Sequence, residues 1–181
     1  MAILKCVVAV GSDDWDAADS TDDKITTRAL RDVGGTPSVI EESYVDIDTS
    51  TIDESWTINS VTLNFYTISN LVSPKGELYH TRIYMDATGF QLIDSSTVQR
   101  TTDSWGLITL TTEEIGWLNL AGKSSFRFTA PLSDSWGSSN SWIIRSFENI
   151  TDGQPEGYWS VYLEIDYTAP PTIMNRIIIT G

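Results

Sequence analysis

Residues Ser43 to Tyr66 read Ser-Tyr-Val-Asp-Ile-Asp-Thr-Ser-Thr-Ile and then Asp-Glu-Ser-Trp-Thr-Ile-Asn-Ser-Val-Thr-Leu-Asn-Phe-Tyr. Val45, Ile47 and Thr49 alternate with Tyr44, Asp46 and Asp48. After an acidic turn, Val61, Leu63 and Phe65 alternate with Thr62, Asn64 and Tyr66. A period of two, apolar on one side and polar on the other, belongs to strands with one buried face and one wet face. The stretch therefore predicts two consecutive strands and an all-β fold.

Working outward, strands are expected near 3–10, 25–31, 38–49, 58–68, 77–86, 96–101, 107–110, 124–130, 141–147 and 158–167, with an acidic loop over 11–24. One short helix is signalled by Thr111-Thr112-Glu113-Glu114-Ile115-Gly116-Trp117-Leu118, where Thr111 and Glu114 have capping-box spacing. Many short strands separated by turn residues argue for a sandwich rather than a parallel α/β sheet. The expected fold is an antiparallel β-sandwich of jelly-roll type with one short helix. Residues 1–168 form the domain. Ala169-Pro170-Pro171 stops it, because neither proline can donate to a ladder, and 169–181 follows as a C-terminal extension. Ile173, Ile177 and Ile179 make that extension too apolar for a free tail, so it is expected either to pair with a neighbouring subunit or to return to its own sheet.

Composition excludes several function classes. The formal net charge is −14 over 181 residues, and the eleven Lys and Arg are scattered singly. Such a field repels duplex DNA and anionic membranes, so neither nucleic-acid binding nor membrane insertion is expected. The single cysteine, Cys6, allows no intrachain disulfide and reads as a buried strand thiol. The apolar run at 3–10 is short, interrupted by Lys5 and followed by Gly11-Ser12-Asp13-Asp14, so it does not read as a signal peptide. The only histidine, His80, leaves no Ser-His-Asp set to assemble and no base for Cys6, and no pair of carboxylates stands out. The chain does not read as an enzyme.

Two features carry binding chemistry. Asp13, Asp14, Asp16, Asp19, Asp22 and Asp23 crowd one loop. Calcium takes six to eight hard oxygens, and Asp13, Asp14, Asp16 and Asp19 are the candidate ligands. The run fails the EF-hand pattern, since Ala18 and Asp19 occupy positions five and six counted from Asp14, where a ligand and then Gly are needed. A solvated loop of turn-forming Asp and Ser is the other reading. The second feature is the tetrapeptide Asp-Ser-Trp-Gly, found at 103–106 and again at 134–137 in what read as loops, with echoes at Asp14-Trp15 and Asp53-Glu54-Ser55-Trp56. A flat apolar ring beside polar groups suits a glycan, which points to Trp105, Trp136, Asp103 and Asp134. Alternatively each Trp plugs an open end of the sandwich while Gly closes the turn. Trp142 and Trp159 lie in strands.

Several of these segments resemble the DNRLRE-type β-sandwich modules, jelly-roll domains of phage structural proteins and bacterial surface proteins. Asp48-Thr49-Ser50-Thr51-Ile52 and Ile58-Asn59-Ser60-Val61-Thr62-Leu63 match at the family's spacing. Leu120-Ala121-Gly122-Lys123-Ser124-Ser125-Phe126-Arg127-Phe128 resembles its glycine-led strand, and Ile144-Arg145-Ser146-Phe147-Glu148 with Tyr162-Leu163-Glu164-Ile165-Asp166-Tyr167 its closing pair. The likeness spans about residues 40–168; Ile47, Asp46 and Asp53 stand where the family commonly has Phe, Arg and Pro. It implies a non-enzymatic virion structural protein, a capsid decoration or fibre component of a tailed phage, with a capacity to bind a surface glycan. Its partners would be other virion proteins or identical subunits, and it would be made in the host cytoplasm. The alternative is a carbohydrate-binding module of a bacterial surface or secreted protein. Arg145 and Glu148 are expected to be structural.

Overall fold

The computed structural model describes residues 2–7, 24–31, 37–72, 81–96, 101–129, 139–145 and 161–171. They form the expected all-β antiparallel sandwich. Its strands are β1 (Ala2–Val7), β2 (Lys24–Arg31), β3 (Pro37–Asp48), β4 (Thr57–Val72), β5 (Thr81–Asp86), β6 (Phe90–Ser96), β7 (Ser104–Thr109), β8 (Lys123–Thr129), β9 (Ser139–Arg145) and β10 (Tyr162–Thr168). The short helix α1 (Thr112–Ile115) sits between β7 and β8.

One layer runs β1-β10-β4 with β7 on the far side of β4, and the other runs β3-β8-β5-β6. Residues 62–64 pair with β10 and β7 at once, and Thr67 pairs with β7 and β9 at once. Strands β10 and β9 therefore share one edge of the 16-residue β4, while β7 holds the other. The layers are joined through β3. Its residues 37–41 pair with β2 and its residues 42–48 with β8. Pro37 opens the strand beside a register shift, a position where a missing donor is tolerated.

The alternation read from the sequence fills the space between layers. Val45 and Ile47 of β3, Val61, Leu63 and Phe65 of β4, Ile83 and Met85 of β5, Phe126 and Phe128 of β8 and Leu163 and Ile165 of β10 are all fully buried. Phe65 and Phe128 meet edge to face across the interior, ring centroids 6.1 Å apart. Cys6 is buried among them as expected, and burial pushes its thiol pKa up.

The turn that links β3 to β4 has a hydrogen-bonded logic. Asp48 Oδ1 accepts from Ser50 N at 3.0 Å and from Ser50 Oγ at 2.6 Å, and Asp53 Oδ1 accepts from Ser55 N at 2.8 Å. These are Asx turns. Between them Ile52 points inward as a buried plug. Thr49, fully buried, bridges to the chain after α1: its N–H donates to Gly122 O at 2.9 Å, and its hydroxyl lies 2.7 Å from Asn119 O, 3.1 Å from Gly122 O and 3.0 Å from Ser124 Oγ. Ser124 Oγ in turn accepts from Asn119 N at 3.0 Å. Two segments distant in sequence, 48–52 and 119–124, are thus tied at one point.

Both turn aspartates are held below the usual carboxylate pKa, Asp48 by the Ser50 side chain and then its backbone, and Asp53 likewise by Ser55. A depressed folded pKa stabilises fully above the unfolded value of about 4. That stabilisation is lost as pH falls through the folded value. Stability in urea should therefore fall more steeply for the parent than for Asp48→Asn as the solution is acidified below about pH 4. The two curves should converge at the acid end. Parallel curves would show that the Asp48 cap contributes nothing.

The helix is capped as its sequence predicts. Thr111 N donates to Glu114 Oε2 at 2.6 Å and Glu114 N to Thr111 Oγ1 at 3.3 Å, a closed capping box. Behind it Leu118 is buried, and Ile115, Trp117 and Leu120 pack against the core. A strand not read from the sequence, Phe90–Ser96, is reached through a turn in which Gly89 takes φ 106°; of the strand expected at 96–101, residues 97–100 lie outside the described residues, and Thr101 lies outside any strand. A bulge between Ile83 and Tyr84 shifts the β5–β6 register and breaks the alternation that would have shown it. Strand β7 also begins earlier than the expected 107–110.

Candidate functional site

Trp105 was expected on a loop closed by Gly106. Instead both residues lie in β7. The turn belongs to the residues before it: Asp103 takes a left-handed backbone, φ 50°, and Ser104 Oγ donates to Thr101 O at 2.8 Å. Aspartate tolerates that backbone better than most residues. Gly106 closes no turn. It faces inward opposite Phe65, and a Cβ built on it would overlap Phe65 Cε2 and Cζ and lie 2.9 Å from Cδ2. The absence of a side chain there makes room for the phenyl ring against β7.

With Gly106 inward, Trp105, Leu107 and Thr109 point outward, beside Tyr66, Asn64 and Thr62 of β4 in register. Trp105 meets Tyr66 edge to face at 5.6 Å and Tyr162 of β10 edge to face at 5.5 Å. The indole therefore reaches across β4. Asn64 lies in register between Leu107 and Tyr162, beneath that span, and is 4% exposed although it points outward; its Nδ2 donates to Thr62 O at 3.0 Å. On the far side of Tyr162 the Lys5 ammonium sits 3.9 Å from the ring centroid. Lys5 is also the register partner of Glu164. Burial lowers the Lys5 pKa against the pull of Glu164, and burial raises that of Tyr162.

This outer face carries much of the exposed apolar surface. Trp105 is 36% exposed, and Leu107 and Ile3 are each 66% exposed. The face joins aromatic rings braced by neighbours to a cation, a carboxylate and hydroxyls, the mixture that binds ligands with both apolar and hydroxyl-bearing sides.

The other layer's outer face is different. The Arg127 guanidinium lies 4.3 Å from the Tyr84 ring centroid and 5.0 Å from that of Phe90, and Tyr44 meets Phe90 edge to face at 5.5 Å. Those rings pack on a side chain of the same protein, which pins the sheet. Trp56 is likewise packed internally, stacked on Tyr167 at 3.9 Å and 11° and partly buried against the core.

Of the residues singled out in the sequence, the structure places Trp105 on the outer face of β7 between Tyr66 and Tyr162. It places Asp103 in the turn leading to it. Asp134 and Trp136, the acidic residues Asp13, Asp14, Asp16 and Asp19, the extension residues Ile173, Ile177 and Ile179, and His80, Glu148 and Trp159 lie outside the described residues. Among the described residues no cluster of three or more His, Cys, Asp or Glu is arranged to hold a metal. Sequence reasoning missed Tyr66 and Tyr162 as partners of Trp105, and Lys5 as the partner of Tyr162. Their outward parity was visible, but the register that joins them was not.

No protein-family model matches the chain, and no curated protein matches it. Two solved structures similar to it are those of the infectious bursal disease virus Gt strain, 12% identical with a TM-score of 0.27, and Gx strain, 12% identical with a TM-score of 0.23. Each match covers 94% of this chain but only 38% and 37% of the respective viral chain. A likeness at that level decides neither fold nor function.

Proposed function

We propose that the protein is a non-enzymatic structural component of a virion, a capsid decoration or fibre protein of a tailed phage, which holds a surface glycan through the outer face around Trp105. The observation that carries the reading is Trp105, exposed on a strand and braced on both sides by Tyr66 and Tyr162. A platform fixed in a sheet loses little freedom on binding. The resemblance of 40–168 to DNRLRE-type modules supports the virion setting. The extension residues Ile173, Ile177 and Ile179 would supply the contact to identical subunits or other virion proteins by strand addition. Calcium bound by Asp13, Asp14, Asp16 and Asp19 would be a structural ion in this setting. The second reading, a carbohydrate-binding module of a bacterial surface or secreted protein, is favoured by the same tryptophan and differs in assembly.

Light scattering on the purified chain separates the two. A stable homo-oligomer that becomes a folded monomer when the chain is cut after Thr168 is the expected result. A parent protein that is monomeric yet retained on a polysaccharide column supports the second reading. A monomer without retention overturns both.

A further inference from the structure

We infer that the Trp105 face takes an uncharged pyranose, stacked on the indole and hydrogen-bonded at its rim, rather than an acidic sugar. This rests on the proposal above that the face binds a glycan.

The charge pattern of the face selects the class. Trp105, Leu107 and Thr109 on β7 and Thr62, Asn64 and Tyr66 on β4 are uncharged, and Tyr162 on β10 adds a phenol. The formal charges around them are those of Lys5 and Glu164, register partners on β1 and β10, with Asp166 two residues farther along β10 and Asp103 two residues before Trp105, so the local balance is negative. The net charge of −14 acts mostly from farther away. At physiological salt the Debye length is about 8 Å, so remote charges are largely screened and the local balance decides. An acidic sugar drawn to Lys5 meets Glu164, with Asp166 and Asp103 adding to the repulsion. A sugar hydroxyl both donates and accepts; the ammonium supplies donors, the carboxylate acceptors, and the tyrosine hydroxyls either.

The apolar half of the match comes from β7. The C–H face of a pyranose suits an aromatic ring. Leu107 follows two residues along the strand, about 6.7 Å away, and its 66% exposure extends the apolar strip beyond the indole. Lys5 is held in place by the Tyr162 ring, so its donors are positioned before a ligand arrives.

The test is affinity electrophoresis of the full chain in gels containing dextran, galactomannan or xyloglucan as uncharged probes, alginate as an acidic one and chitosan as a basic one. Retardation by at least one uncharged polymer is expected, unchanged between low salt and about 0.5 M. Trp105→Ala should weaken it about tenfold, equivalent to ~1.4 kcal/mol. Lys5→Met should weaken it less, and Leu107→Ser, at an exposed position, provides a second variant should Trp105→Ala disturb folding. Trp105-dependent binding to alginate or chitosan alone, or binding that salt abolishes, overturns the uncharged class and leaves the site standing. Retention by no polymer, or retention indifferent to both Trp105→Ala and Leu107→Ser, overturns the site itself.

Discussion

Gly106→Ala is expected to destabilise the protein by about 1–3 kcal/mol, the usual cost of forcing an extra carbon into a packed core. In a chain of 181 residues each kcal/mol lowers Tm by about 2–4 °C. The reason is local. The new methyl would occupy the place of the Phe65 ring, which is fully buried and cannot swing into solvent. The ring also meets Phe128 edge to face, so displacing it disturbs the contact between layers. Shortening the obstacle should relieve the strain: Gly106→Ala combined with Phe65→Leu should cost less than the sum of the two single changes, a coupling typical of residues in contact. Thermal unfolding of the four proteins measures it. Strict additivity, or an alanine variant as stable as the parent, would show that the Phe65 ring does not require a glycine at 106.

Thr49→Val is the second large effect. Valine keeps the shape and discards the hydroxyl, so the Asn119 carbonyl loses its 2.7 Å bond and keeps only Gly122 N–H at 3.2 Å, and the Ser124 hydroxyl keeps only its bond from Asn119 N. Each hydrogen bond lost costs about 0.5–1.5 kcal/mol. Thr49→Ser keeps the hydroxyl and loses one methyl, a cost of about 0.8 kcal/mol. The urea midpoints should therefore rank parent, serine, valine. A valine variant more stable than the serine one would show that the buried hydroxyl network is dispensable and that only the volume at 49 matters.

The fold was legible where one residue's neighbours along the chain determine its environment. Val45 and Ile47 go in, Tyr44 and Asp46 stay at the outer face, and the Thr111–Glu114 box forms as its spacing requires. Legibility failed where a partner from elsewhere decides. Asp-Ser-Trp-Gly has the composition of a turn, yet only Asp103 serves one, and Gly106 is small because of Phe65, more than forty positions earlier. The alternation of Trp105, Leu107 and Thr109 was present in the sequence as a strand signal, masked by the glycine between them. Strand β6 went unread because a bulge puts both Ile93 and Asp94 at intermediate burial, which erases the period of two. The site was legible only as one ring. That Trp105 would touch Tyr162, and Tyr162 hold Lys5, depends on β7, β4, β10 and β1 lying side by side in one register.

Strand β4 gives the molecule a mechanical character. It is hydrogen-bonded to β10, β7 and β9 along its length, and β7, which bears Trp105, is held to it by six register pairs. A tug on anything gripped by the indole enters the protein through β7. When the tug runs along the strand, all six pairs resist together and none can peel before the rest. The load then passes into β4 and from there along its other edge into two further strands at once. A sheet of this design yields late under traction along β7 and early under traction across it, so the load it bears depends on the angle of pull.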